Sequence, residues 1–425
     1  MELTLAYCIV SWVFHIQSLQ NLINLKMASK VMNIVSPYLV MLKGGPTHDI
    51  NDHLTYHAEI LSPMFEGEIW TYGNEAVTRK VGRFQIHCVA VPDGGSAPSM
   101  IKFLSAVVKS INARADALRA RKVTFTTYEP FVQPLVAYWL ARKLKGRLII
   151  EFPGTYKDSD NLADVGKRWL RRVKYRQQQL LAQLCVGIAD AVRVHFPGQN
   201  DNFIHIPASK PTSQYYDAIR LDRFKTTDVD SDQYILFVGY PFRRKGVDVL
   251  LEAWRNIAQY HPGWRLVLIG HELDNHMAEA DLKSAQVEYL RPMNNTRLAP
   301  WIQRSSIVVV PSRSDTMPRI LMEAAAAGRP RVATRVGGMP FMMTDGIDGL
   351  LVPPSDHAAL SGALEKLILN RNFRERIGAA GLATVKSQFS GERYCSDLLD
   401  CVSKLHDLGN ENLPPENLMQ RGSPA

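Results

Sequence analysis

Short apolar runs alternate with amphipathic segments through the carboxyl-terminal half of the chain. Residues 234–238 and 306–310 are rich in β-branched and aromatic side chains and offer no polar face to water, which predicts buried parallel strands. Two further units of this kind cover residues 263–270 and 332–340. After the first run, helical apolar spacing follows at Val247, Leu250, Leu251 and Trp254. Strands that alternate with helices predict a right-handed parallel sheet whose strand-to-helix loops share one edge.

The loop and helix after residues 306–310 carry two acids, Asp315 and Glu323. Pro318 suits the first helical position, the residues after it are strong helix formers, and Gly328 suits a left-handed cap. The pattern therefore predicts that Asp315 lies in the loop and that Glu323 lies inside the helix.

Lys245 and Arg243 lie in the loop after the first apolar run, so they belong to the same edge as Asp315. Ligands of open α/β sheets bind in the crevice beyond the strand ends, where helix amino termini present free N–H groups to phosphate. Such an edge can bind a nucleotide-sugar at its nucleotide end and at its sugar end. The alternative is an ordinary series of strand-loop-helix units, in which the acids and Lys245 are solvated and Gly337 and Gly338 are plain turn residues.

Residues 234–355 resemble the donor-binding half of the retaining family 4 glycosyltransferases of the GT-B fold. Six motifs agree with that family in spacing and order. They are a glycine and lysine loop (Gly239, Lys245, Gly246), an acid followed eight positions later by glutamate (Asp315, Glu323), and the runs PSRSD, EAAAAG, VATRVGGMP and DGIDGLLVPPSD. Any one motif is weak support, whereas six in register are specific, and they cover a little over a quarter of the chain.

The resemblance implies an α/β fold, namely GT-B: two Rossmann-like doubly wound domains that face a cleft, with a carboxyl-terminal helix that crosses back to the first domain. Length agrees, since 425 residues can form two domains with full cores. Tyr394, Leu398, Leu399 and Val402 form the expected docking stripe of the last helix. The expected divisions are an extension (1–28), an acceptor-side domain (29–215), a linker (216–232), a donor-binding domain (233–385), the crossing-back helix (386–408) and a disordered tail (409–425).

The resemblance also implies roles for individual residues. Lys245, Asp315 and Glu323 form the expected catalytic set, in which Lys245 neutralises the donor diphosphate, Asp315 holds hydroxyls of the transferred sugar and Glu323 accepts hydrogen bonds from the ribose. Fixed cations and N–H donors beside the leaving diphosphate lower the barrier, so no metal ion or other cofactor is expected. The donor-binding set adds Gly44, Gly45, Gly239, Arg243, Thr316, Met317, Arg319 and Met293, the last in a segment expected to line the base pocket.

Three positions depart from the family pattern. Asp315 is one methylene shorter than the usual glutamate, Tyr240 stands where arginine is common, and Pro318 cannot donate a backbone hydrogen bond. Arg243 or Arg244 can supply the missing cation, and we favour Arg243.

The amino-terminal half has weaker patterns. Residues 32–39 predict a first strand, residues 43–46 predict a flexible turn, and residues 48–63 predict a helix. Gly44 and Gly45 either approach the donor from across the cleft, as the resemblance implies, or form a plain turn.

A later strand, 145–152, ends at Pro153, where many relatives carry a histidine that contacts the sugar. Glu151, Thr155 or Tyr156 can replace that contact. The histidines of this half show no pairing pattern, so each is expected to be a surface or core residue: His53, His57, His87 and His205.

Positive charge is concentrated in the first half. The chain carries 50 Lys and Arg against 41 acids, and residues 1–222 hold 26 and 18 of these. The segment 167–176 mixes cations with Trp169, Leu170 and Tyr175 at helical spacing, which predicts an amphipathic helix on anionic lipid. A solvated helix face is one alternative, and nucleic-acid binding is disfavoured because no reading module is recognised. The cations expected at the membrane surface are Arg168, Arg171, Arg172 and Lys174.

Residues 3–16 are uncharged and mostly apolar, but about 14 residues are too few to cross a bilayer, which needs about 20. No basic region precedes them and no small-residue cleavage pattern follows. Five cysteines without metal-ligand spacing suit a reducing cytosol. A cytoplasmic location is therefore expected, with peripheral contact to the inner face of the plasma membrane.

The residues and the resemblance together predict a hexosyltransferase-type enzyme. It moves a sugar from a nucleotide-diphosphate donor to a glycan or lipid-linked acceptor, with retention of anomeric configuration, in bacterial surface polysaccharide biosynthesis such as that of lipopolysaccharide. Two alternatives stay open. One is a nucleotide-sugar epimerase of the same fold, which needs no acceptor, and the other is a non-catalytic scaffold whose site has decayed.

Overall fold

The structure is a computed structural model that describes residues 37–46, 52–91, 97–154, 168–201, 203–224, 232–271, 273–277, 284 and 286–406. The amino-terminal extension, residues 225–231 of the predicted linker and the predicted tail lie outside these residues. Thr155 and Tyr156 also lie outside them, as do the side chains of Arg168 and Arg171.

The first half of the described chain forms one sheet with helices between its strands. The strands are β1 (Tyr38–Pro46), β2 (Glu66–Gly73), β3 (Val77–Val81), β4 (Phe84–Ala90), β5 (Val123–Thr127), β6 (Arg147–Phe152), β7 (Ala191–Val194) and β8 (Thr212–Gln214). The helices are α1 (Asp52–Leu61), α2 (Ala97–Ala113), α3 (Ala115–Arg119), α4 (Gln133–Leu144) and α5 (Arg168–Ile188). The strand order is β3-β4-β2-β1-β5-β6-β7-β8, and every described neighbouring pair is parallel except β3 with β4.

The second half repeats this architecture. Its strands are β9 (Tyr234–Val238), β10 (Arg265–Ile269), β11 (Val287–Leu290), β12 (Ile307–Val310), β13 (Arg331–Thr334) and β14 (Leu350–Val352), in the parallel order β11-β10-β9-β12-β13-β14. Its helices are α6 (Val247–Ala258), α7 (Asn295–Arg304), α8 (Arg319–Ala326), α9 (Met339–Met342), α10 (His357–Leu369), α11 (Arg371–Gln388) and α12 (Gly391–Leu405). In the described part of the chain, no helix has both the length and the apolar character needed to cross a membrane.

The last helix, α12, packs on the first sheet rather than on the second. Its predicted docking stripe is buried in one cluster with Leu39 and Met41 of β1 and Ile149 of β6. Burial of an apolar helical stripe against these strands is the dominant favourable term for such docking. The fold is therefore the predicted one, with two Rossmann-like halves and a helix that crosses back.

Strand β1 corrects two expectations for the amino-terminal half. It begins at Tyr38 and continues through Gly44 and Gly45 to Pro46, where the sequence predicted a flexible turn. Two neighbours keep the chain extended, because β1 pairs with β2 on one side and with β5 on the other. The register against β2 shifts between Leu42 and Pro46, so the glycine pair forms an irregularity inside the strand rather than a turn after it.

The helix after Asp315 also differs from its prediction. Pro318 has extended backbone angles and is the N-cap residue, so α8 begins at Arg319, one residue later than expected. Gly328 has a φ of +69°, which agrees with the predicted left-handed cap.

Candidate functional site

The loop from β9 to α6 brings Lys245 to the carboxyl edge of the second sheet. Its Nζ lies 2.5 Å from Oδ2 of Asp315, in the loop that follows β12. Gly246 has a φ of +70°, and a Cβ there would lie 2.0 Å from the carbonyl oxygen of Pro311. Only glycine therefore allows the lysine loop to approach the end of β12 so closely.

Both oxygens of the Asp315 carboxylate accept hydrogen bonds. Oδ2 accepts from Lys245 and, at 3.3 Å, from the Ser312 hydroxyl, while Oδ1 accepts from the Thr316 backbone N–H at 3.1 Å. The Thr316 N–H, predicted to approach a phosphate, is thus bonded to Asp315 in this state. A ligand that takes Lys245 or Thr316 as donor must exchange with this carboxylate.

The turn after β13, which contains Gly337 and Gly338, fixes the backbone of the acid loop, the loop between β12 and α8 that carries Asp315. Gly337 has a φ of +55°, and a Cβ there would lie 1.7 Å from the carbonyl oxygen of Asp315. The Gly338 N–H donates to the Thr316 carbonyl at 2.7 Å. These glycines therefore support the acid loop and are not plain turn residues.

Arg313, which the sequence did not single out, joins three segments around the lysine loop. Its Nη1 donates to the Arg243 carbonyl at 2.7 Å and to Asp248 Oδ1 at 2.6 Å. Its Nη2 donates to Asp248 Oδ2 at 2.9 Å, and its Nε donates to the Ser355 hydroxyl at 2.9 Å. One planar guanidinium group thus fixes the lysine loop, the first turn of α6 and the loop after β14 relative to one another.

Glu323 lies within α8, as predicted, and is 8% exposed. Burial raises the pKa of its carboxyl group, against the opposing charges of Arg319 and Arg223. Arg319, one turn earlier, places its Nε 3.9 Å from Glu323 Oε1. The helix that follows the Asp315 loop therefore carries a buried carboxylate.

Three contacts link the two halves across the cleft. Arg319 donates from Nη1 to Nδ1 of His53 on α1 at 3.1 Å, and Phe196 after β7 stacks on Phe341 of α9 at 5.3 Å between centroids. Gly154 faces Thr316, because a Cβ on that glycine would lie 4.0 Å from the threonine hydroxyl. Hence Arg319 and Thr316, two of the predicted donor-binding residues, lie at the junction of the two halves.

His53 has a hydrogen-bond partner in the structure, although the sequence showed no pairing pattern for this histidine. It accepts from Arg319, and burial together with the Arg319 charge lowers its pKa to about 3. The ring is therefore neutral, as its acceptor role requires. No local pattern reveals this contact, since the two residues are 266 positions apart.

The remaining predicted donor-binding residues differ in their burial and contacts. Gly239 contacts the Lys245 side chain, because a Cβ on that glycine would lie 3.4 Å from it. The Arg243 side chain is exposed, whereas Met293 and Met317 pack partly buried on the core of the second half. The donor-binding roles of these residues, and the choice between Arg243 and Arg244, stay predictions.

Glu151 does not fit the sugar contact considered for it. Its side chain is fully buried and forms an ion pair with the fully buried Arg193 of β7. The Tyr394 hydroxyl of α12 donates to the same carboxylate at 3.5 Å. The contacts of the Glu151 carboxylate therefore lie in the interior of the first half.

The chain is similar to known proteins in sequence and in fold. The profile of a family described as "Glycosyl transferases group 1" matches residues 218–383. D-inositol 3-phosphate glycosyltransferase from Thermobifida fusca is 33% identical over 161 residues, which are 35% of this chain and 37% of that protein. Sucrose-phosphate synthase from Thermosynechococcus elongatus superposes with a TM-score of 0.68 at 18% identity, over 88% of this chain and 100% of that one. Anabaena HepE in complex with UDP superposes with a TM-score of 0.61 at 13% identity, over 86% and 100%.

Fold and sequence therefore define the class: the chain has the GT-B fold. Residues 218–383 are a group 1 glycosyltransferase domain. The match to the Thermobifida fusca protein spans a little over a third of that relative's length.

Proposed function

We propose that the protein is a retaining glycosyltransferase that uses a nucleotide-diphosphate sugar. The observation that carries the proposal is the Lys245–Asp315 pair, at 2.5 Å, on the carboxyl edge of the second sheet and beside the buried Glu323. A lysine alone marks an anion site, and a carboxylate alone can hold hydroxyls. Together at the cleft edge of a group 1 domain they suit a donor that carries a diphosphate at one end and a sugar at the other.

Donor binding rearranges this pair. Lys245 turns from Asp315 to the diphosphate, which frees the carboxylate to accept hydrogen bonds from the sugar hydroxyls, and Glu323 accepts from the ribose. The Lys245 charge and the amino terminus of α8 stabilise negative charge as the sugar–phosphate bond breaks, so we propose that no metal ion takes part. The resemblance implies attack on the same face as the leaving group, with the leaving phosphate oxygen accepting the proton of the incoming hydroxyl. No separate base is then needed.

Titration calorimetry with UDP, GDP and ADP tests the proposal. We expect one of the three to bind, because the site provides a cation and helix N–H groups for a diphosphate. The UDP complex of HepE makes UDP the first candidate. Product analysis with the matching nucleotide-sugar then separates the alternatives: turnover without acceptor supports an epimerase, and failure of all three nucleotides to bind supports a scaffold.

Arg313→Ala is expected to weaken binding of the preferred nucleoside diphosphate about 10- to 100-fold, because the lysine loop loses its fixed position. Arg313→Lys is expected to restore little, since one ammonium group cannot serve the three segments that the guanidinium group joins. Calorimetry measures both, with Arg371→Ala on the exposed face of α11 as the control. Unchanged affinity in Arg313→Ala would remove the positioning role.

We propose that the acceptor is a lipid-linked or otherwise anionic glycan and that the first half rests on an anionic membrane surface. Helices α2, α4 and α5 together contain nine Lys and Arg and no Asp or Glu. On α5, Arg172 and Lys174 are exposed beside three exposed apolar side chains, Val173, Leu180 and Leu184. A cationic helix with outward apolar side chains suits the interface of an anionic bilayer.

Tyr175 does not belong to this surface, although the sequence grouped it with the membrane-facing residues. It packs inward, 5.4 Å from the Phe203 ring between centroids. The exposed apolar side chains of α5, among those the structure describes, are Val173, Leu180 and Leu184, at 46%, 71% and 55% exposure.

A variant with four cations of α5 changed to Glu is expected to lose sedimentation with anionic vesicles. The four are Arg168, Arg171, Arg172 and Lys174. Each cation near the surface contributes about 1 kcal/mol, so reversing four of them removes the attraction. The control variant has the same change in net charge on exposed positions of α10 to α12 and should still sediment. It changes Lys366, Arg376, Lys386 and Lys404 to Glu. Equal sedimentation of both variants would refute the membrane surface.

A cytoplasmic setting for this reaction is also proposed. Cys185, Cys395 and Cys401 are buried thiols, which suits a reducing compartment. Assembly of bacterial surface polysaccharide, in which lipid-linked glycans are extended on the inner face of the membrane, is the proposed pathway class.

A further inference from the structure

Lys43 is a buried cation at the cleft end of the first sheet. It lies near the carboxyl end of β1, which has strands on both sides, and is 6% exposed. Its Nζ lies 3.3 Å from the ring centroid of Tyr128, and among the described residues it has no hydrogen-bond acceptor. Buried ammonium groups normally have such acceptors, because burial without them is costly. Lys43 therefore has unused donor capacity at a place where ligands of this fold class bind.

The neighbouring carboxylates have partners of their own, although Oε2 of Glu151 accepts no hydrogen bond among the described residues. Glu151 is paired with Arg193, and Asp217 accepts from the Tyr128 hydroxyl at 2.9 Å. Burial lowers the pKa of Lys43 to about 8, with Arg193 acting in the same direction and with Glu151 and Asp217 opposing it. Lys43 thus stays protonated near neutral pH, held by charges at a distance and by the Tyr128 ring.

The second half contributes another cation to this region. Arg319 of α8 bonds to His53, which is neutral. Lys43, Arg319, His53 and His195 together lower the pKa of Asp217 to about 2, against the effect of its burial. Asp217 therefore lies within electrostatic range of one cation from each half, Lys43 and Arg319, and of two histidines.

A structural role does not account for Lys43. A methionine or leucine would continue the apolar run of β1 without a desolvated charge, and exchanging buried charges for apolar side chains is often neutral or stabilising. A neutral sugar hydroxyl would supply an acceptor but no compensating charge. A phosphate group supplies both, because it carries negative charge and has at least two non-bridging oxygens that accept from the N–H donors of lysine.

We propose that Lys43 anchors a binding site for a phosphate group, with Arg319 nearby on the opposite side of the cleft. The inference that a phosphate binds here depends only on the observed contacts. The identity of the molecule that carries the phosphate, either a phosphorylated acceptor or the nucleotide donor, rests on the proposed function. In either case the phosphate supplies the hydrogen-bond acceptors that the Lys43 ammonium group lacks among the described residues.

Thermal unfolding of the wild type, Lys43→Met and the exposed control Lys109→Met tests this site. Potassium phosphate is titrated against potassium chloride at constant ionic strength. Without phosphate, Lys43→Met should unfold at a higher temperature than the wild type, because the desolvated charge is gone. Phosphate at about ten times its Kd should raise the midpoint of the wild type and of Lys109→Met by about 2 °C and leave Lys43→Met unchanged.

A second arm identifies the carrier of the phosphate. The nucleoside diphosphate that the wild type binds is titrated into Lys43→Met: unchanged affinity assigns the site to the acceptor, and at least tenfold loss assigns it to the donor. If Lys43→Met is less stable than the wild type and keeps the full response to phosphate, Lys43 is a structural residue and the proposal is wrong. Failure of the wild type to bind UDP, GDP or ADP would instead refute the proposed function and leave the phosphate response as a separate result.

Discussion

Lys245→Ala is expected to weaken binding of the preferred nucleoside diphosphate by about 2 kcal/mol, or about 30-fold. The substitution removes a charge-assisted hydrogen bond to the diphosphate. It also leaves the Asp315 carboxylate, which Lys245 contacts at 2.5 Å, without its cation beside an anionic ligand. Titration calorimetry at fixed ionic strength measures the loss.

Lys245 and Asp315 are largely buried, with side chains 15% and 12% exposed, so the substitution also lowers stability, and circular dichroism checks that the variant is folded. Lys386→Ala, on an exposed position of α11, is the matched control and should bind normally. A Lys245→Ala protein that is folded and binds as tightly as the wild type would exclude Lys245 from the diphosphate site.

Glu151→Ala is expected to lower the free energy of unfolding by about 3–5 kcal/mol. Arg193, fully buried, then loses its ion-pair partner and keeps only the faces of two tyrosines, whose ring centroids lie 4.8 Å (Tyr215) and 5.3 Å (Tyr394) from its guanidinium carbon. A buried guanidinium group without a carboxylate retains its desolvation cost. Urea unfolding followed by circular dichroism gives the difference.

The double variant Glu151→Leu with Arg193→Met should recover most of that loss, because it removes both buried charges together. If the double variant is as unstable as Glu151→Ala, the loss comes from packing and not from the unpaired charge. The pair also joins β6 and β7 to Tyr394 of α12, so the single variant should loosen the crossing-back helix.

The sequence predicts the second half well because its contacts are local. The apolar runs of β9 and β12, the left-handed cap at Gly328, and the placement of Asp315 in a loop all follow from neighbouring residues. The Lys245–Asp315 contact follows from topology, since parallel strands bring successive loops to one edge. Periodicity and turn chemistry thus give most of this site.

The first half and the cleft depend on distant partners that no local pattern contains. Lys43 to Pro46 looks like a turn, yet these residues continue β1, and Pro46 pairs with Tyr72 of β2. His53 and Arg319 are 266 positions apart, and Arg313 acts through residues of three separate loops. The one available signal was Lys43 itself, because a charged residue that ends a buried strand calls for a partner.

A crystal structure with the preferred nucleoside diphosphate bound tests the central claim most directly. We expect the diphosphate within hydrogen-bond distance of Lys245 Nζ, the ribose at the Glu323 carboxylate, and Asp315 released from Lys245 toward the sugar side of the cleft. A nucleotide bound elsewhere on the protein, with Lys245 still paired to Asp315 and Glu323 out of reach of the ligand, would contradict the account.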